Sequence, residues 1–494
     1  MTKPNSSPVP PAKGTRDLYP DQMLRQNYIT KLWRDTAIRH GFEEINGPTF
    51  EMLELYTRKS GEGIVSELFR FRREGGDDDY ALRPEFTPTL ARMYAAKAAS
   101  LPSPTKWFSI GPYFRAEKPQ RGRLREFLQW NVDVLGVESA ASDAELVSLL
   151  ADALGHFGLR SRTSLGMSNR QEMLQLLRLA GLHDDANIDQ AFQILDQRSK
   201  VDEESLSDAL KTMGVRLATL DNAIRLMKQA VLDGADESRF TVKRNQTTID
   251  AVSGKESSLQ TERADRIDLK PFAKVFDELR GRGLAEWAEP DFGLVRGLAY
   301  YTGTVFEVIA EGERAIAGGG RYDNLIELFG GPPTPAVGFG MGDVVLGLLL
   351  DDKGLMPRGK ELMDALSQPA ASLRPEAFVF AGSEDEDELI EPLLASLRRG
   401  IETDGFDGKP WSSHRYTVRP MHARRTYKTT RNLKKLLADA EKQHARFAIV
   451  LHGPDKVQVK DLDTREELVH ERGDFSVDPQ SDAYVGTAIA QRLA

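Results

Sequence analysis

The sequence predicts an α+β chain, with strand-rich and helix-rich stretches segregated and a separate α/β unit at the C-terminal end. Three observations predict it. Between Lys106 and Val137 two strands flank a long polar loop; in the second, Phe127, Gln129, Asn131 and Asp133 alternate with Leu128, Trp130, Val132 and Val134. From about Ser142 to Ala230 the pattern is mostly helical, with leucine-rich periods at Glu172 to Leu179 and Asp221 to Ala230. From Pro375 to Ala494 strand and helix patterns alternate, which implies a small mixed sheet. The alternation in the hairpin has a chemical consequence. One face packs on a core, and the other carries amide and carboxylate groups into a site.

Composition bounds the rest. A chain of 494 residues, 29% charged and 40% hydrophobic, reads as an ordinary soluble protein of several domains. No apolar run reaches the length of a bilayer span, so no membrane partner is expected. Residues 1–13, rich in Pro and Ser, read as a disordered tail without the apolar segment of a secretory signal. Cysteine is absent, which excludes disulfides, thiolate zinc sites and cysteine nucleophiles and suits a reducing cytoplasm. The 8 histidines are scattered without an HExxH pair, so no protein-held metal is expected. A net charge of -9 does not advertise nucleic acid; RNA binding must come from local patches.

The elements follow in order. Pro20-Asp21 opens a helix with Asp21 as candidate N-cap, Leu24, Tyr28 and Leu32 recur along it, and Gly41 ends it in a left-handed conformation. Phe42 to Glu51 reads as a strand interrupted by Pro48, which places it at an edge or an interface. Glu85 and Thr87 stand at a strand-to-helix turn, where Thr87 is a candidate cap and Glu85 complements the helix dipole. Arg115 ends the first strand of the hairpin, and the connector carries Glu117, Lys118, Arg121, Arg123 and Arg125. A guanidinium at a strand end suits a triphosphate, because it holds two phosphate oxygens at once; a solvated hairpin with a charged tip is the bland alternative. About 167–239 reads as a helical insertion, and Asn245 to Arg266 as a polar surface loop. Arg296, Tyr300 and Tyr301 precede a strand at Thr304 to Ile309. Gly318-Gly319-Gly320 allow close approach to a ligand or a tight turn. Between Lys409 and Lys435 there are nine Lys or Arg and no Asp or Glu, with Trp411, Tyr416 and Tyr427 interleaved, the mixture that single-stranded RNA recognition requires.

Several of these stretches carry a family resemblance. FRAEKPQRGRLREFLQ, from Phe114, resembles the second signature motif of class II aminoacyl-tRNA synthetases in the form typical of the histidyl-tRNA synthetase family. The strand with Pro48 resembles the first class II motif, and TPAVGFGMGDVVLGLLL, from Thr334, the third. LVRGLAYYTG, from Leu294, resembles the motif that sets histidyl members apart. Ile194 to Leu206 resembles the insertion of eukaryotic-like members. Two departures stand out: Ala299 replaces a common Asp, and Val345 replaces the arginine that stacks on adenine. Organelle-type plant enzymes resemble this chain in both.

The resemblance implies a class II antiparallel sheet flanked by helices in a catalytic domain at 14–360, a linker at 361–374 and an anticodon-binding domain at 375–494. It implies a homodimer built on the first motif. It implies that Arg296 and Arg115 are catalytic, meeting negative charge at the α-phosphate. Histidine would be held by Glu85, Phe86, Thr87, Arg115, Gln129, Asp133, Arg296, Tyr300 and Tyr301. ATP, carrying Mg²⁺, would meet Arg115, Glu117, Arg123, Gln129, Gly319 and Gly320. Arg419, Arg424, Arg425, Lys428 and Arg431 would face tRNA(His). The implied activity is ligation of L-histidine to tRNA(His) in the cytoplasm. The rival is a non-catalytic, histidine-binding regulatory subunit of an ATP phosphoribosyltransferase. Such paralogues lack the C-terminal domain and degrade the RGLxYY signature, both of which this chain keeps.

Overall fold

The structure, a computed structural model, describes residues 9–60, 62–198, 201–233, 239–242, 246–249, 256–259, 265–294, 300–310, 315–402, 407–411, 415–428, 430–452 and 456–471. Arg296 and Ala299 lie outside the described residues.

The centre of the chain is an eight-stranded sheet. Its strands are β1 (Glu43–Glu44), β2 (Thr105–Phe114), β3 (Glu126–Leu135), β4 (Thr163–Asn169), β5 (Ala288–Pro290), β6 (Thr304–Ala310), β7 (Ala317–Arg321) and β8 (Ala336–Gly342), in spatial order β1-β2-β3-β8-β7-β6-β4-β5. All interior pairings from β2 to β4 are antiparallel, and only the short outer strands β1 and β5 run parallel to their neighbours. The two faces differ in bulk. On one, Trp130, Val132, Phe339, Met341 and Phe306 are buried beneath helices α1 (Pro20–Arg39) and α2 (Ala140–His156). Trp33 of α1 stacks on Trp130 at 5.8 Å and donates its indole N–H to Met341 Sδ at 3.1 Å. On the other face the central strands carry glycines.

Local chemistry explains most boundaries. Pro20 occupies the first turn of α1, where its missing N–H costs nothing, and Gly41 follows the helix at φ 79°. Asp21 is not the cap: Tyr19 holds that position and Asp21 lies in the first turn, where it complements the dipole. Thr87 is likewise no cap, because the helix Thr87–Ala95 begins at Thr87 with Phe86 before it. The helical insertion starts later than 167, since Met167 to Asn169 belong to β4 and pair with β6. Its described helices are Arg170–Leu179, Asp185–Asp196, Glu203–Thr212 and Leu217–Leu232. Within the stretch read as a surface loop, Gln246–Ile249 and Glu256–Leu259 pair as a hairpin, and Asp265–Asp268 pairs with Arg239–Val242. The stretch read as a linker contains the helix Gly359–Ser367, which buries Leu362 and Ala365.

The C-terminal unit is a five-stranded sheet in the order Ala423–Arg425, Ala377–Ala381, Phe447–Leu451, Lys456–Asp461, Glu467–Glu471. The helix Asp387–Arg399 covers the face bearing Val379 and Ile449, and Leu433–Lys442 covers the face bearing Phe378 and Val450.

A buried ionic cluster joins this unit to the large sheet. Glu145 of α2 accepts from Lys106 at 2.7 Å, from Arg398 at 3.2 Å and from Arg282 at 3.4 Å. Glu391 accepts from Arg282 at 2.6 Å and pairs with Arg425. Burial alone would raise the Glu145 carboxyl, but Arg398 and Lys106 beside it hold it well below the usual carboxylate range. Burial pulls the Lys106 ammonium down to about 8, against the opposing pull of Glu145. Such a cluster is costly to break one partner at a time, so it fixes the junction.

Candidate active site

The glycine-bearing face of the sheet carries the polar side chains of β3. Across paired strands, side chains directly opposite each other share a face, so Gly338 of β8 stands against Asp133 and Gly340 against Asn131. A Cβ at Gly338 would lie 1.8 Å from Asp133 Oδ1, and one at Gly340 would lie 2.5 Å from Gln129 Nε2. One at Gly320 would lie 2.9 Å from the Tyr301 ring. Glycine is required here because the polar side chains of β3 lie over the backbone of β8. Gly319 differs: its pairs are Phe306 and Phe339, so it belongs to the core face.

At one end of this face a buried carboxylate meets a cluster of tyrosines. Asp133 is 4% exposed and accepts the Tyr322 hydroxyl hydrogen at 2.5 Å. Burial drives its carboxyl up to about 7, although the bond from Tyr322 opposes the shift. Tyr322 in turn packs on Tyr300 with ring centroids 6.1 Å apart, and Tyr300 on Tyr301 at 4.8 Å. Tyr301 is buried and Tyr300 half-buried. Midway along, Gln129 Nε2 donates to Asn131 Oδ1 at 2.6 Å, and Asn131 donates to the Tyr113 hydroxyl at 3.0 Å.

The other end is cationic. Arg115 is half-buried, donates Nε to Pro84 O at 3.3 Å and lies over the Phe127 ring at 5.2 Å. It therefore stands beside Glu85, which is half-buried, and Phe86, which is fully buried. Thr87 follows at the start of its helix, half-buried. Glu117 accepts from Arg123 at 2.6 Å, so these two connector residues form a pair. Sequence reasoning missed Arg83. It is buried at 1% exposure, donates to Pro112 O at 2.8 Å, Gly47 O at 3.0 Å and Asn46 Oδ1 at 3.2 Å, and lies over Tyr113 at 4.7 Å. A guanidinium held by carbonyls pins the strand that delivers Glu85, and its place two residues before Glu85 was the available signal.

Val345 is half-buried and packs against the main core. Beside it, Asp343 pairs with Arg16 and accepts the backbone N–H of Leu128 at 2.9 Å, tying the N-terminal segment to β3. The residues expected to face tRNA are all engaged within the C-terminal unit. Arg419 pairs with Glu376, Arg425 with Glu391, Arg431 with Asp387, and Lys428 with Asp439 at 2.6 Å. Arg424 donates to His422 Nε2 at 2.9 Å.

An antiparallel sheet with one helix-covered face and one glycine-bearing face, joined to a smaller α/β unit, defines a class II aminoacyl-tRNA synthetase fold. Residues 14–342 match the family model for histidyl-tRNA synthetase. The histidine–tRNA ligase of Opitutus terrae is 37% identical over 462 residues, covering 92% of this chain and 94% of its own. That of Thermococcus kodakarensis is 33% identical over 403 residues, covering 80% and 85%. The chain belongs to the histidyl-tRNA synthetase family. Among solved structures, histidyl-tRNA synthetase from Nostoc sp. PCC 7120 superposes with a TM-score of 0.55 at 20% identity, covering 98% of this chain and 99% of that one. A Bacillus halodurans C protein described as an ATP phosphoribosyltransferase regulatory subunit/histidyl-tRNA synthetase gives 0.57 at 21% identity, covering 92% and 100%. These two likenesses concern the fold alone.

Proposed function

We infer that this chain is a histidine–tRNA ligase. A carboxylate oxygen of L-histidine attacks the α-phosphorus of ATP, pyrophosphate leaves, and histidyl-adenylate forms. The terminal ribose hydroxyl of tRNA(His) then attacks the acyl carbon and AMP leaves. The observation that carries the reading is that one sheet face runs from a guanidinium beside Glu85 to a buried carboxylate–tyrosine pair.

In this proposal Asp133 accepts a ring N–H of histidine, and Tyr300 and Tyr301 wall the ring. Glu85 and Thr87 take the ammonium, and Phe86 closes the pocket behind it. A carboxylate is needed there because an ammonium taken out of water requires a charged acceptor. Arg115 clamps the α-phosphate, with Gln129 alongside. Arg296 meets the charge that builds at the carboxyl–phosphorus junction, a role supported by the RGLxYY resemblance. Glu117, Arg123 and the backbone of Gly319 and Gly320 face ATP, and Mg²⁺ would arrive with it to offset phosphate charge. The C-terminal unit, 375–494, takes the anticodon. An affinity for the eukaryotic or plant-organelle subgroup is supported by Ala299 and Val345, while the relatives named above are bacterial and archaeal. A cytoplasmic location belongs to the same proposal.

We also propose a homodimer through the three-stranded sheet of Phe50–Met52, Asp79–Leu82 and Arg70–Arg72, which follows Pro48. Its support is an exposed ring cluster: Phe50 is 50% and Phe71 43% exposed, and their centroids are 5.8 Å apart, each within 5.7 Å of Tyr80. Contiguous exposed rings of this kind mark an interface. The double variant Phe50→Asp/Phe71→Asp is expected to sediment at half the native mass while keeping its circular dichroism. An unchanged native mass would remove this surface from the interface.

The test of the ligase reading is histidine-dependent ATP–pyrophosphate exchange. A ligase shows it, with strong preference for histidine. Its absence in a folded protein that still binds histidine would favour the regulatory-subunit reading.

A further inference from the structure

The acidic partners of Arg419, Arg425, Lys428 and Arg431 leave open where the basic stretch meets RNA charge. Its first residues supply an answer. Gly408 to Trp411 reach back across the junction and form one wall of an open cavity of ≈ 480 Å³, inside the range of about 300–1,000 Å³ that suits a small ligand. The other walls are Arg162, just after α2, and the turn from Lys353 to Arg358. The wall is firmly seated: a Cβ at Gly158 would lie 3.1 Å from Pro410 and 3.4 Å from Leu355. Trp411 is half-buried against the main core while also lining the cavity.

The charge there is unbalanced. Asp351 is engaged by Arg25 and, at 3.4 Å, by Arg358. Glu361 stands 3.6 Å from Lys409. Arg162 and Lys353 are exposed, and neither takes part in an ion pair among the described residues. Besides the paired Arg358 and Lys409, the cavity thus offers two cations without an ion pair among the described residues and an indole, in a protein whose net charge is -9. An indole for a base and cations for phosphates are what an unstacked nucleotide needs.

We propose that this seam cavity holds a single unstacked nucleotide of the tRNA substrate, with Trp411 against the base and Arg162 and Lys353 at the flanking phosphates. The inference rests on the ligase reading for its RNA. It places an RNA contact on both structural units at once, so that docking of tRNA presses the C-terminal unit against the large sheet.

The test is aminoacylation of tRNA(His) by the full chain carrying Arg162→Glu/Lys353→Glu. Both side chains are exposed, so the fold and the ATP–pyrophosphate exchange, which needs no RNA, should be unchanged. The KM for tRNA should rise about 10-fold, and the slope of log KM against log salt should fall by roughly 1.4, the loss of two single-strand phosphate contacts. Trp411→Leu, which keeps an apolar side chain against the core, should raise the KM without changing that slope. A KM within twofold of the parent and an unaltered salt slope in the charge variant would overturn the inference. So would a cavity that binds AMP or inorganic phosphate, lost in the variant, while the tRNA KM stays put. If the parent lacks histidine-dependent exchange, the ligase reading fails instead, and the two failures are distinguishable.

Discussion

Replacing Arg115 with alanine is expected to lower histidine-dependent ATP–pyrophosphate exchange by about 10³-fold, the cost of removing one preorganised charge partner from a transition state. The loss should fall mainly on kcat, because negative charge around the α-phosphorus peaks during attack and not in the bound ground state. Stability should barely change. Arg115 is half-buried, and its described contacts are one 3.3 Å hydrogen bond to Pro84 O and the Phe127 ring. Arg115→Lys keeps the charge but loses the planar fork, so it should recover only part of the rate. Exchange within threefold of the parent in the alanine variant would end the proposed role. The measurement is isotopic exchange alongside thermal unfolding.

Asp133→Asn should separate function from stability. The carboxyl is raised from its unfolded value to about 7 in the fold, chiefly by burial. A carboxylate raised in this way binds more protons folded than unfolded between its two pKa values. Stability contributed by the neutral form is therefore present at acid pH and declines as pH climbs from about 4 towards 7. Asparagine carries no such penalty. At pH 8 the ligand-free variant should accordingly melt higher than the parent, by a few degrees, and the gap should close as pH falls below about 4. Its amide can still accept from Tyr322, so the pocket should stay folded. Histidine activation should nonetheless drop, with kcat/KM down about 10²-fold, because a charged acceptor for the ring N–H is lost. A variant that is both less stable at pH 8 and fully active would refute the pocket assignment and the electrostatic argument together.

Much of the site was legible because its chemistry repeats along one strand. The period-two alternation from Phe127 to Val134 is local, and Trp130 and Val132 are fully buried on one face while Asp133 stands over Gly338 on the other. What the sequence concealed was pairing. Nothing local says that Gly338 lies opposite Asp133 or Gly340 opposite Asn131, because that register joins strands 200 or so residues apart. Gly319 and Gly320 looked equivalent as neighbours, yet one faces the core and the other faces Tyr301. The basic stretch conceals pairing of the same kind. A charge count over 409–435 omits Glu376, Asp387, Glu391 and Asp439, which lie outside that window and pair in space with four of its nine cations. The cluster of Lys106, Glu145 and Arg398 has no local signature at all, since its members come from a strand and two helices far apart in the chain.

Whether one sheet face receives both substrates is read directly from a crystal structure with a non-hydrolysable histidyl-adenylate analogue. The imidazole should lie within hydrogen-bond reach of Asp133, the phosphate against the Arg115 guanidinium, and the analogue over Gly338 and Gly340. Density for the analogue in any other cavity, with Arg115 pointing to solvent, would contradict it.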